Sequence, residues 1–311
     1  MRALVSGGAG LVGSAMCGYL LDRGDEVICV DNFLTGSPAN VEALLERDGM
    51  HFVQADIRGE LPDVGPLDAV FNLACPASPV DFDRLSLEIM EIGSRGVANL
   101  LDLALRNDAR FLQASTSEVY GEPLVHPQPE TYWGNVNPVG PRSVYDEAKR
   151  FGEALTMAHH RRHGTKIRIA RIFNTYGPRM RPDDGRLVSH FVTAALAGQP
   201  LTIYGDGTQT RSFCYVDDEV AGLVSLLLSD HLGPVNVGND EERSVHEMAE
   251  LIVKLTGSPS EVVFEAARQD DPTQRRPDLT IARETLGWEP KVPLEEGLRH
   301  TIEWFRTRMA A

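Results

Sequence analysis

Tyr145 and Lys149 stand four residues apart, a spacing that puts a phenol and an ammonium on one face of a helix. A phenol ionises near pH 10, too high for a base at neutral pH. A nearby ammonium, or a cationic ligand, favours phenolate, and a shift of about three units corresponds to about 4 kcal/mol. The run Ser115-Thr116-Ser117-Glu118 precedes the pair and closes a strand-like segment, so a Ser or Thr hydroxyl there could hold a reacting hydroxyl group. The same four-residue spacing also suits an ordinary pair on a surface helix. What positions the two residues decides between the readings.

Gly8-Ala9-Gly10-Leu11-Val12-Gly13 is a GxGxxG run, extended by Gly7 to GxxGxxG. It follows the apolar run Ala3-Leu4-Val5 and opens a helical pattern in which Met16, Tyr19 and Leu20 share a face. In that context the glycines permit a tight turn and close approach of backbone to a pyrophosphate, with the helix N-terminus facing the charge. A purely structural strand–helix turn is the alternative. Asp31 ends the next apolar run, about 20 residues further on, where a carboxylate can accept a hydrogen bond from a ribose 2′-hydroxyl. A 2′-phosphate would meet it as a like charge, so NAD is expected rather than NADP; Asp31 could also be a turn residue before Asn32. Asp56 is placed either to reach the adenine side or to cap a helix.

The elements that must carry these groups alternate. Val27–Val30, His51–Val53, Ala69–Leu73, Phe111–Ala114 and Ile167–Ala170 are short unbroken apolar runs, as in parallel strands covered on both faces. Between two of them, Ile89, Ile92, Gly93, Gly96, Val97, Leu100, Leu101, Ala104 and Leu105 repeat with helix periodicity. The pattern predicts a Rossmann-like doubly wound α/β sheet with ligands at the C-terminal strand ends. After Ala170 the alternation breaks into a Pro/Gly/Arg-rich stretch, then a helix, a strand near Leu201–Ile203, a helix over Val245–Leu255 and polar connections. The expected division is a cofactor domain of residues 1–173 with part of 212–240, and a smaller α/β lobe of 174–211 and 241–311.

The 311 residues are 42% hydrophobic and 24% charged, a globular balance. No apolar run reaches the roughly 20 residues of a membrane helix, and no leader peptide is evident. Cys17, Cys29, Cys75 and Cys214 form neither a CxxC pair nor a metal cluster, so no metal is expected and a cytoplasmic location is. A net charge of −15 argues against nucleic acid or an anionic membrane as partner.

Longer stretches carry a resemblance. With the glycine motif and YxxxK, they are Ser115–Gly121, Tyr132–Pro138, Arg171–Met180, Gln209–Phe213, Asp270-Asp271-Pro272 and Arg275–Asp278. Together the chain resembles the UDP-glucuronate decarboxylase (UDP-xylose synthase) family of the extended short-chain dehydrogenase/reductase superfamily, from Arg2 to about Gly297. The resemblance implies NAD as cofactor and UDP-glucuronate as substrate. C4 is oxidised, CO2 is lost from the resulting β-keto acid, and C4 is reduced again to give UDP-xylose. Tyr145, assisted by Thr116 and Lys149, would take the C4 hydroxyl proton. Glu118 and Arg275 would stand near the carboxylate and take part in decarboxylation and reprotonation. A bare carboxylate at Glu118 repels a sugar acid unless it is protonated or acts as an acid/base.

The same resemblance places the cofactor on Gly7, Gly10, Leu11, Val12, Gly13, Asp31, Asn32, Phe33, Gly36, Asp56, Ile57, Leu73, Ala74, Tyr145 and Lys149. It places the substrate on Pro76, Glu118, Tyr145, Asn174, Arg186, Val188, Tyr204, Arg211, Tyr215 and Arg275. Tyr204 and Tyr215 could instead be core aromatics, and Arg275 one of a solvated pair. A homodimer through the helices carrying Leu100 and Tyr145 is implied as well. The chain departs from the family pattern at Cys75, Gly93, Val144, Ala148 and His190. These leave a UDP-glucuronate 4-epimerase, which keeps the carboxylate and gives UDP-galacturonate, as the alternative outcome. A non-catalytic NAD sensor would not need Tyr145 or Lys149, and a simple reductase would release its reduced cofactor.

Overall fold

Unbroken apolar runs cannot leave a strand face in water, and here they pair side by side under helices. The computed structural model describes residues 1–309. Its first half runs β1 (Arg2–Ser6), α1 (Leu11–Asp22), β2 (Glu26–Asp31), α2 (Glu42–Leu45), β3 (Met50–Gln54), β4 (Ala69–Asn72), α3 (Ser86–Glu91), α4 (Val97–Arg106), β5 (Arg110–Thr116), α5 (Ser143–His163) and β6 (Lys166–Ile172). The second half runs β7 (Thr175–Tyr176), α6 (Leu187–Leu196), β8 (Leu201–Tyr204), β9 (Thr210–Ser212), β10 (Cys214–Tyr215), α7 (Val216–Leu228), β11 (Pro234–Val237), β12 (Glu242–Ser244), α8 (Val245–Thr256), β13 (Val262–Glu265), β14 (Gln274–Arg275), α9 (Thr280–Leu286) and α10 (Leu294–Met309).

Seven strands form one parallel sheet in the order β11-β6-β5-β4-β1-β2-β3, a doubly wound Rossmann-like arrangement. Successive residues of a strand bury on opposite faces. Ala3, Val5, Val27 and Cys29 join the core under α1 and α7, while Leu4, Ile28 and Val30 join the core under α4 with Leu100, Leu101 and Ala104. The strand order reverses between β1 and β4, which opens a crevice at their C-terminal ends. The glycine run follows β1, Leu73 follows β4, and Thr116 ends β5, so the chemistry-bearing segments all lie along that edge.

Two readings of the sequence need correction. The periodic segment from Ile89 to Leu105 is helical, but it opens into a wider turn with i→i+5 geometry over Ile92–Gly96. At Gly93 a Cβ would lie 2.7 Å from the Cβ of Ala148 on α5, so the glycine allows two helices to touch. The chain end is not a set of polar connections: α9 and α10 follow, and α10 buries Leu294, Leu298, Ile302 and Phe305. The large sheet also takes in β11, reached through α7 well after the glycine/arginine-rich stretch, while the pairs β8–β13 and β7–β10 and the trio β12-β9-β14 form small separate sheets.

Candidate active site

At the strand-order switch the backbone closes on itself. Gly7 has φ +72°, and a Cβ on it would lie 2.8 Å from the Ala74 backbone; a Cβ on Gly13 would lie 2.0 Å from Gly7 O. No side chain caps α1, so its first amides are left for a ligand. Asp31 is buried beside them and accepts from Ala9 N at 2.9 Å and Phe33 N at 2.7 Å. Burial pushes its carboxyl up, and these backbone donors hold it down in part. Gly10, Leu11, Val12, Gly13 and Leu73 line a cavity of about 390 Å³. An adjoining hollow takes in Asp31, Asn32, Gly36, Asp56, Ile57, Ala74 and Pro76. Asp56 caps no helix. Arg58 grips it through Nε and Nη2, Asn32 donates to it at 3.0 Å, and its carboxyl lies below the usual range. This glycine cradle, free helix N-terminus and buried carboxylate fit a dinucleotide.

The second cavity, about 290 Å³, shares Val12, Leu73 and Cys75 with the first. Thr116, Glu118, Tyr145, Lys149, Asn174, Arg186, Val188, Tyr204 and Arg211 all line it. Tyr145 stacks on Phe82 with ring centroids 5.0 Å apart. Lys149 lies on the same face of α5, its Nζ 5.7 Å from the Tyr145 ring centroid and donating to Ala114 O at 2.8 Å. Burial pushes the Tyr145 phenol up and the Thr116 hydroxyl opposes the shift, so the chain alone does not make it a base at neutral pH. Arg186 is paired with Asp184, and the Arg268 guanidinium lies 3.8 Å from the centroid of the Tyr204 ring.

Glu118 sits in a cluster of charges. Arg275 Nη1 donates to its Oε1 at 2.8 Å and Arg142 Nη2 to its Oε2 at 2.7 Å. Burial opposes its charge, but Arg275 and Arg142 prevail and bring the carboxyl down to about 2. Glu118 is therefore ionised at neutral pH, and its charge is neutralised by arginines rather than by a proton. Asp271 extends the cluster, 3.1 Å from Arg211 Nη2. Beneath it Asp146 is pushed up to about 7, by burial first and then by Glu118.

Several expected residues are elsewhere. Arg275 is neither solvated nor on the cavity wall; it is 1% exposed and lies behind Glu118. Tyr215 does not line the cavity, because its ring packs edge-on against Tyr176 in the core. Pro76 lies on the glycine side instead, and Phe33 lines neither cavity, being stacked on Phe52 at 5.1 Å. Sequence reasoning overlooked Arg142, Phe82 and Arg268 on the wall. Arg142 carried a signal, since a cation just before a helix opposes the helix dipole and calls for another reason.

Comparison with known proteins accords with this geometry. The chain is 49% identical over 309 residues to UDP-glucuronic acid decarboxylase 1 of Arabidopsis thaliana, covering 99% of this chain and 71% of that one. It is 48% identical over 312 residues to the enzyme of the same name from Xenopus tropicalis, covering 99% and 73%. Among solved structures, UDP-glucuronic acid 4-epimerase from Bacillus cereus, in complex with UDP-glucuronic acid and NAD, superposes with a TM-score of 0.88 at 29% identity, covering 99% and 100%. UDP-glucose 4-epimerase from Thermotoga maritima superposes with 0.91 at 32% identity, again covering 99% and 100%. A model of the NAD dependent epimerase/dehydratase family matches residues 3–238, which include both the glycine cradle and the Tyr145–Lys149 pair, and the chain belongs to that family.

Proposed function

We propose that this chain is an NAD-dependent UDP-glucuronate decarboxylase that forms UDP-xylose and CO2. The observation that carries the reading is Glu118 held ionised between Arg142 and Arg275 on the same cavity as Tyr145, Lys149 and Thr116. Near-half identity to UDP-glucuronic acid decarboxylases over 99% of the chain supports it.

Gly7, Gly10 and Gly13 with the start of α1 would hold the pyrophosphate of the cofactor, and Asp31 a ribose. Bound NAD supplies a reversible two-electron oxidation at C4 of the sugar and a positive charge near Tyr145. Tyr145 takes the proton of the C4 hydroxyl, which Thr116 orients by hydrogen bond. Lys149, anchored on Ala114 O, holds positive charge on the same helix face and favours the phenolate. Once C4 is a ketone, the C5–C6 bond can break: its electron pair passes to the C4 oxygen, CO2 leaves, and C5 then takes a proton from water; return of hydride to C4, with the Tyr145 proton returning to the C4 oxygen, gives UDP-xylose and restores the cofactor. Glu118, drawn below the usual carboxylate range by Arg275 and Arg142 against the effect of burial, can accept a hydrogen bond or a proton in that sequence. The arginines around it hold negative charge in the cavity although the whole chain is acidic.

Incubation with UDP-glucuronate labelled at C6 tests the reading. Labelled CO2, a UDP-pentose and no net reduced cofactor are expected. Recovery of UDP-galacturonate with the label retained overturns it in favour of the 4-epimerase. Location in the cytoplasm and a homodimer belong to the same proposal. The four cysteines are free thiols, which suits a reducing compartment.

A further inference from the structure

The arginines around Glu118 do not face the cavity equally. Arg275 spends Nη1 on Ser117 Oγ and Glu118 and Nη2 on Gly121 O; its Nε is unpartnered, but the side chain is nearly sealed from solvent and off the cavity wall. Arg211 reaches the cavity but commits Nη1 to Thr210 O and Nη2 to Asp271. Arg142 also lines the cavity, and it donates only through Nη2, to Glu118. Its Nη1 stands 3.8 Å from Asp271 Oδ1, too far for a hydrogen bond, and its buried Nε has no partner. Buried guanidinium donors without acceptors are costly, and a planar carboxylate is the ligand their fork fits best.

Two further observations point the same way. Asp271, a carboxylate of this chain, already stands before Arg142 and Arg211, and three arginines against Glu118 and Asp271 leave positive charge in excess. Arg142 immediately precedes α5, and Tyr145 N donates to Arg142 O at 3.1 Å, so the phenol and this guanidinium leave the same helical turn. In a hexuronic acid, C4 and the carboxyl carbon C6 are separated by C5 alone. The start of α5 and the residue that precedes it thus offer a base for the C4 hydroxyl and a cation for the carboxylate.

We propose that Arg142 is the specificity-determining residue that binds the sugar carboxylate, while Glu118, backed by Arg275, holds its guanidinium in place. The proposal rests on the decarboxylase reading. It is tested by calorimetric titration of the NAD-loaded protein with UDP-glucuronate and with UDP-glucose, which is uncharged at C6. The wild type should prefer UDP-glucuronate. Arg142→Met should lose roughly tenfold to hundredfold in affinity for UDP-glucuronate and less than about threefold for UDP-glucose. Arg142→Lys, which keeps the charge but not the fork, should fall between, and it decides the matter if the methionine variant does not fold. Equal losses for both ligands, or an unchanged preference, overturn the role of Arg142 and leave the decarboxylase reading intact. A wild type that does not prefer UDP-glucuronate overturns that reading and the role of Arg142 together.

Discussion

Tyr145 and Asp146 are neighbours whose acidities move for the same first reason, burial, with different consequences. Tyr145→Phe keeps the ring stacked on Phe82 and removes only the oxygen. Turnover of UDP-glucuronate should fall by about 10²- to 10⁴-fold with little change in binding, measured by product formation and calorimetry. Burial and then Glu118 push the Asp146 carboxyl up to about 7 in the fold, against about 3.8 for an aspartate in an unfolded chain, and its Oδ1 is buried without a partner. Between those values the folded chain keeps a proton that the unfolded chain has lost, so this group's stabilisation fades as pH rises through 7. Asp146→Asn should abolish that fade. In thermal melts it should gain on the wild type between pH 5 and pH 8 by an amount on the order of a few degrees. A gap between the two that stays constant with pH would refute the assignment. At this scale the local patterns were legible: a tyrosine and lysine one turn apart, a threonine at a strand end, glycines after a strand. Arg275 was named only through the family resemblance, and its burial behind Glu118 was not legible, because the two meet across 157 positions of sequence and spacing says nothing of burial.

Gly93 and Ala148 belong to the next scale, the contact between helices. An alanine in place of a helical glycine usually gains up to about 1 kcal/mol, but here its Cβ would lie 2.7 Å from Ala148 Cβ and 2.8 Å from Ala148 O. Overpacking of this kind costs about 1–3 kcal/mol, so the clash should win and Gly93→Ala should lower stability. Because α5 carries Tyr145 and Lys149, activity should fall with it. Adding Ala148→Gly should restore part of both, since the Cβ contact goes and the carbonyl contact stays; chemical denaturation of the four proteins of that cycle measures it. The wider turn at Ile92–Gly96 leaves no mark on the helix periodicity of the sequence, because one extra residue in a turn barely disturbs an apolar stripe. The C-terminal helix was hidden for another reason. Leu294, Leu298, Ile302 and Phe305 recur at helical steps, but seven charged or histidine neighbours such as Glu295, Arg299 and Glu303 dilute them.

At the scale of the molecule, apolar side chains remain on the outer side of the helices over β4 and β5. Leu87 and Met90 of α3, Leu105 of α4 and Phe151 of α5 are all exposed, Leu87 by 75%. Leu100 and Tyr145, the residues by which the dimer helices were identified, are buried within the subunit, so a dimer contact would use these other faces. We propose that a second copy of the chain covers them. The 34.2 kDa chain should sediment at twice its mass, and Leu87→Glu with Phe151→Glu should shift it to the monomer; a monomeric wild type at micromolar concentration would sink the idea. The placement of β11 beside β6, and of α7 against α1, has a different implication. As the ribosome delivers the chain from its N-terminus, the edge of β6 stays open and α1 lacks its neighbour until Val237 has emerged, a wait on the order of seconds to tens of seconds. Genetic recombination meets the same constraint. A hybrid joined once near residue 173 would set α7 and β11 of one parent against α1 and β6 of the other, so exchange of cofactor halves between relatives requires a graft that returns for residues 216–237.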